Sequence, residues 1–236
     1  MPTYGLQWSE IYGRIQDYAN INNVVGSATK AKKAGNDAIR LISSLRNWES
    51  LKRESSITPV ASTQTYAILT GTTDFDHIIS CWYVYSGIDI PIDVVDDDKW
   101  NKESVSNIDG TPTICRITKA NGTLSIQFSP RPSGSFIQQS STINFDYIKK
   151  PTEMSSDTDI PDIPNSSQQM AIVYLAVADL LAKQGDITGM DAWEKKANKL
   201  LNQAHKIDDK KEGRSARIGR PIVAINTSGI KYMDYK

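Results

Sequence analysis

The chain has 236 residues, 27 Lys+Arg against 27 Asp+Glu, 39% hydrophobic residues and a mean hydropathy of −0.41. That is enough apolar material for a core burying about 70–75% of the unfolded surface in one or two compact units. Zero formal charge argues against nucleic-acid binding spread over the whole surface, and a membrane span of about 18 apolar residues is missing: the most apolar stretch, Met170 to Ala182, is shorter and is broken by Asp179.

The start, MPTYGLQWSEIYGR, lacks the basic-then-apolar order of a secretory signal, so none is expected. Trp8, Ile11, Tyr12, Ile15 and Tyr18 recur at spacings of three and four, which predicts an amphipathic helix. After a loop through Asn22, Asn23 and Gly26, a second helix is expected from Ser27 or Thr29 to about Leu51. Its stripe reads Ala31, Ala34, Ala38, Leu41, Leu45, Trp48 and Leu51, and its small residues suit a close backbone approach.

From Glu54 to Lys150 the chemistry is that of strands. Ser55–Val60, Thr65–Leu69, Ile78–Tyr85, Thr113–Thr118, Thr123–Phe128 and Ser141–Lys149 are rich in β-branched and aromatic residues. Turn signals stand between them: Gly71, Ser86-Gly87, Asp109-Gly110, Asn121-Gly122, and Pro130, Pro132 and Gly134. Asn121-Gly122 is the clearest hairpin signal, and Asp96 to Ser104 reads as a short helix on the rim of the sheet.

A Pro-rich approach (Pro151, Pro161, Pro164) leads to Ser166-Ser167 as caps for a helix reaching about Gln184. That helix is apolar nearly all round, so it must be covered on most faces. Beyond Gly185 a partner helix, about Gly189 to Lys206, carries Trp193, Ala197, Leu200, Leu201 and Ala204 on one stripe, which makes an antiparallel helical hairpin. Residues 210–236 hold seven basic residues against two acidic ones, a charge of +5, together with the apolar anchors Ile222, Val223, Ile225, Ile230, Tyr232, Met233 and Tyr235. A purely solvating tail would not carry so many of these, so the segment reads as one that orders on a partner.

Residue types that carry chemistry are sparse. His77 and His205 lie in different zones, outside any metal spacing, and read as an edge residue and a solvated helix residue. No GxSxG elbow, P-loop or GxGxxG occurs. Asp93, Asp96, Asp97 and Asp98 lack the alternation of a calcium loop and read as a hydrated acidic loop. Asp74, Asp76 and Glu153 could pair for acid–base work only if the fold brought them together. Trp82, Tyr83 and Tyr85 alternate along one strand, as sheet core if buried or as a saccharide platform if exposed; core is the expectation. Cys81 and Cys115 are expected as buried free thiols. Neither catalysis nor a cofactor nor a metal is expected.

Four passages in order give the chain a likeness. They are the helix ending AIRLISSLRNWESLKRESSITPV, where Trp48 and Leu51 close the helix before the first strand; QTYAILTGTTDFDHIISCWYV; LSIQFSPRPSGSF with INFDYIKKPTEM; and DIPDIPNSSQQMAIVYLAVADLLAKQGDITGMDAWEKKANKLL with its Gly-Asp turn. This arrangement resembles the head-to-tail adaptor (connector, or neck) proteins of tailed bacteriophages, the tail-tubular and gatekeeper-like members among them. It departs from them in the second passage, where members often carry a proline and this chain has Leu69-Thr70-Gly71.

The resemblance implies a structural virion protein: a homo-oligomeric ring, usually of twelve, joining the portal protein above to a tail or second neck protein below. Genomic DNA would pass through without sequence-specific contact, with no membrane involved and assembly in the host cytoplasm. The fold class expected is α+β, organised as residues 1–53 (helices of a bundle), 54–150 (antiparallel β-rich region), 151–209 (helical hairpin completing the bundle) and 210–236 (extended docking tail). The tail's portal-docking residues are expected to be Arg214, Arg217, Arg220, Ile222, Ile225, Tyr232 and Tyr235. The alternatives are a tail-tube or tail-hub component and, from another class, a carbohydrate-binding module on the β-rich region.

Overall fold

The computed structural model describes residues 5–68, 74–105, 107–120, 123–164 and 168–211. In chain order its elements are α1 (Trp8–Tyr18), α2 (Ser27–Ser44), a 3-10 turn (Glu49–Leu51), β1 (Lys52–Ile57), β2 (Thr65–Ala67), β3 (Phe75–Tyr85), β4 (Ile88–Val94), α3 (Asp97–Glu103), β5 (Asp109–Gly110), β6 (Ile114–Ala120), β7 (Thr123–Ser129), β8 (Arg131–Pro132), α4 (Gly134–Gln139), β9 (Ile143–Lys149), α5 (Met170–Gln184) and α6 (Ile187–Lys211). The fold is α+β. Two compact units divide it: residues 1–51 with 151–236, and residues 52–150.

In the helical unit α5 is the central element and packs against α1, α2 and α6. Its side chains explain the position, since Ala171, Ile172, Val173, Leu175, Ala176, Val177, Ala178 and Leu180 are all buried. Each larger one contributes about 1.5–3 kcal/mol on leaving water. Gly185 ends α5 in the left-handed region at φ 84°, and Asp186 then accepts the Gly189 N–H at 2.8 Å to open α6.

α2 packs on α1 through a seam shifted from the expected one: Ala31, Ala34, Gly35, Ala38, Ile39 and Ile42 are buried, whereas Leu41 and Leu45 are only half-buried. Gly35 permits the approach, because a Cβ there would lie 2.5 Å from Cη2 of the Trp8 ring. α2 also stops at Ser44 rather than continuing to Leu51. Ser43 and Ser44 turn their hydroxyls onto the carbonyls of Arg40 and Leu41, and the Trp48 indole N–H folds back to the Ile42 carbonyl at 2.8 Å. These donors satisfy last-turn carbonyls and end the helix, so Trp48 and Leu51 are buried from a loop and a 3-10 turn.

Residues 151–164 are pinned across α1 and α2 as a strap. The Asp159 and Asp157 carbonyls accept the free amides of Trp8 and Ser9 at the start of α1, at 2.8 and 3.0 Å. Buried Asn36 forms a two-bond pair with Met154, donating Nδ2–H to its carbonyl (3.0 Å) and accepting its N–H on Oδ1 (2.9 Å). Buried Gln169 accepts the Leu6 N–H (2.7 Å) and donates to the Pro161 carbonyl (3.0 Å).

The second unit is a curled seven-stranded sheet in the order β1-β9-β3-β4-β6-β7-β2, antiparallel except where β4 meets β6. Every strand contributes to one core that includes Ile57, Ile68, Cys81, Ile92, Cys115, Ile126, Phe128 and Phe145. The β3–β4 hairpin closes through Ser86 (φ 50°) and Gly87 (φ 79°), a two-residue turn whose twist suits flanking strands. The β6–β7 hairpin pairs Ala120 with Thr123, as expected around Asn121-Gly122, which themselves lie outside the described residues along with Gly71 and Ser166-Ser167.

Three local readings change. Asp109-Gly110 forms strand β5 rather than a turn, paired in parallel with β8 at Arg131 and Pro132. Gly134 opens α4, capped by Ser133 Oγ, which accepts the Phe136 N–H at 3.1 Å. β4 was missing from the strand reading because Pro91 sits within it. Cys81 and Cys115 are buried and free as expected; contact with the Cys115 thiol, followed by burial, pushes the Cys81 thiol up.

Candidate interaction surfaces

Three of the four aspartates at the end of β4 and the start of α3 have local partners. Asp96 caps α3 by accepting the Lys99 N–H at 2.8 Å, and Asp93 lies 3.7 Å from Lys99 Nζ. Asp97 takes the Arg116 guanidinium at 2.8 Å. Arg116 also donates to Gln127 and stacks 4.7 Å from the centre of the buried Trp100 ring, so its planar head is held on three sides. Asp96 and Asp97 therefore cap and pair the start of α3, while all four aspartates stay exposed to water as expected.

His77 and Asp76 face a depression of about 460 Å³ in the sheet unit that Asp96 and Asp97 also line. His77 Nδ1 meets Asp76 Oδ2 at 2.8 Å. Among the described residues no Ser or Cys lines the depression, and the Asp96 and Asp97 carboxylates are already engaged. Glu153 pairs instead with Arg40 at 3.2 Å. Among the described residues no group of three or more His, Cys, Asp or Glu could hold a metal ion, and no helix is long and apolar enough to cross a membrane. His205 is not a solvated residue: its ring packs 5.1 Å from Trp48.

The aromatic strand divides between two environments. Tyr83 packs edge-on against buried Phe136 at 5.0 Å, on the core side of the sheet. Trp82 is half-buried and has the opposite strand parity. Tyr85 is not core, because the hairpin tip runs beyond β9, whose pairing with β3 ends at Tyr83 and Ile143. Tyr85 and its cross-strand partner Ile88 are consequently 46% and 63% exposed. Trp82 and Tyr85 thus lie on opposite faces, so the three rings do not form one saccharide platform.

The free edge of β4 is guarded against strand addition. β6 pairs only with Asp93 and Val94, which leaves Ile88–Ile92 with one unpaired side. Pro91 opposite Trp82 has no N–H to give, and Asp89 and Asp93 flank it with charge. The apolar side chains of the tip are therefore better placed for face contacts than for main-chain pairing. A second bare apolar site is the α1–α2 loop, where Val25 is 95% exposed beside Val24.

The expected docking residues Arg214, Arg217, Arg220, Ile222, Ile225, Tyr232 and Tyr235 lie outside the described residues. The sequence reading had passed over Asn36 and Gln169, since a buried amide inside a helical pattern is indistinguishable from a surface one until its partners are placed. It had also passed over the hairpin tip.

Carboxylates engaged by caps and cations, and apolar side chains bare at turns, are features of surfaces that meet other proteins. The sequence matches the family of SU10 adaptor proteins over residues 6–222, and the chain belongs to that family. It is accordingly a structural phage adaptor and a virion component, which interacts with other phage head or tail proteins. No curated protein matches the chain.

Proposed function

We propose that the chain is one subunit of a homo-oligomeric ring, of twelve copies, in the neck of the virion, joining the portal to a tail or second neck protein and letting genomic DNA pass. The observation that carries this reading is the family match across both compact units. Residues 210–236 would dock on the portal, with Arg214, Arg217 and Arg220 steering toward an acidic surface and Ile222, Ile225, Tyr232 and Tyr235 supplying the burial. Ordering that segment costs on the order of 1–2 kcal/mol per residue in backbone entropy, so several anchors must be buried together. Ring closure makes each weak contact part of a multivalent set.

Co-sedimentation of the cognate portal ring with the full chain, and with a chain ending at Lys211 where α6 ends, tests the reading. Binding of the full chain at one copy per portal subunit, lost on truncation, is expected. Equal binding by both would remove the tail from the account and keep the adaptor. Binding by neither would favour a tail-side position.

A further inference from the structure

Lys195, Lys199, Asn202 and Lys206 follow one another on α6 at spacings of four, three and four. Those spacings confine them to a sector of about 60°, some 16 Å long at the helical rise. All four are exposed and stand opposite the buried seam of Met190, Ala197, Leu201 and Ala204. With Asn198 and Gln203 they line a shallow depression of about 470 Å³. On α6 the acidic residues Asp191 and Glu194 precede the stripe and Asp208 and Asp209 follow it in sequence, while no acidic residue falls between Lys195 and Lys206. Elsewhere in the molecule Lys32, Arg40, Lys52, Lys99, Arg116, Arg131 and Lys183 each meet a carboxylate.

We propose that this face of α6 contacts the sugar–phosphate backbone of double-stranded DNA without reading its sequence. Three features select that partner. Protein–protein interfaces are depleted in lysine and centred on apolar or aromatic residues, and no large hydrophobic residue is exposed between Lys195 and Lys206. Single strands are held by stacking on open rings, whereas the Trp193 ring is covered by Tyr18 at 5.1 Å and by Lys196 Nζ at 3.8 Å. Lysine ammonium groups and side-chain amides are the ordinary donors to phosphate, and a row about 16 Å long can reach more than one phosphate of a strand. Lysines act as point charges rather than planar forks, so the contact holds no register and suits a polymer that must slide. The adaptor reading supplies a duplex for this face to meet, and the inference rests on it to that extent.

The test uses the full chain and a fluorescent duplex of mixed sequence, with binding followed by anisotropy as salt is raised. Each lysine–phosphate contact contributes about −0.9 to the slope of log K against log salt. The variant K195Q/K199Q/K206Q should therefore bind more weakly, with a slope shallower by about 2.7. The control K30Q/K102Q/K119Q removes the same charge from other exposed lysines and should keep most of the slope; unchanged thermal melting of both variants shows that folding is intact. A stripe variant indistinguishable from the control would overturn the proposal. So would the absence of binding by the unaltered chain at low salt and about 10⁻⁴ M, the weak end of non-specific affinities. If the stripe variant kept DNA binding but lost co-sedimentation with the portal, the face would be a protein contact instead. DNA binding through α6 by a chain that fails to sediment with the portal would refute the adaptor position and leave this inference standing.

Discussion

Replacing Asn36 by alanine tests what holds the strap of residues 151–164 to the helical unit. The Asn36 carboxamide imitates a backbone partner for Met154, one donor and one acceptor, at a site where Asn36 is 8% and Met154 5% exposed. Alanine would leave the Met154 N–H and C=O buried without partners. Net loss of a hydrogen bond costs about 1 kcal/mol, and a buried orphaned group about 1–3. Helix propensity favours alanine over asparagine by about half a kcal/mol, so the net destabilisation should be about 2–4 kcal/mol. At a urea m-value of about 1–3 kcal/mol/M the midpoint of the transition that includes α2 should fall by about 0.7–4 M. Hydrogen exchange supplies a local readout, because the Met154 amide should lose protection while amides in the middle of α5 keep theirs until global unfolding. Asn36→Asp keeps the acceptor, loses the donor and buries charge, so it should be at least as damaging. A midpoint shift below about 0.3 M, or unchanged Met154 protection, would refute the claim that this amide carries the strap.

Gly35→Ala places a Cβ against the Trp8 ring and should destabilise the helical unit by about 1–3 kcal/mol in thermal unfolding despite better helix propensity. Trp48→Phe keeps an aromatic ring but removes the donor to Ile42 and part of the indole's buried volume, and should cost about 1–3 kcal/mol in the same assay. Lys32 and the Tyr12 hydroxyl hold the Asp157 carboxyl below the usual range, and the Ser155 and Ser156 amides do the same for Asp159. The folded-state values lie below the unfolded one of about 3.9, so this stabilisation is present above that pH and is lost as pH falls through the folded values. Protection from hydrogen exchange at the start of α1, taken relative to the intrinsic rate at each pH, should accordingly fall below about pH 4, with a smaller fall in Asp157→Asn. Tyr85→Ser with Ile88→Ser removes side chains from a tip that is already solvated. It should leave the melting temperature nearly unchanged while weakening self-association or portal binding, measured by sedimentation.

Periodicity was sufficient for much of the architecture. The three-and-four spacing from Trp8 to Tyr18, the all-round apolar run of α5 and the Gly185-Asp186 break each express local backbone chemistry in adjacent residues. The β-branched runs and the Ser86-Gly87 turn do so as well, and the α+β class follows from them. The Ile88-Ile90-Ile92-Val94 alternation carried the β4 signal too, obscured by a proline that an edge position tolerates.

What adjacent residues do not encode is which distant groups complete them. α2 ends at Ser44 because an indole four residues later turns back onto it, and its seam runs through Ile39 and Ile42 because Trp8 needs the space above Gly35. Asn36 is buried because a strap more than a hundred residues away in sequence brings the Met154 carbonyl and amide to it, and Gln169 because the Leu6 amide and the Pro161 carbonyl meet on it. The Asp96–Asp98 run looked like a free acidic loop until Arg116, from another strand, closed on it. Short-range periodicity determines which face of an element is apolar; long-range contacts alone decide which polar groups find partners and which apolar side chains, such as Tyr85 and Ile88, remain in water.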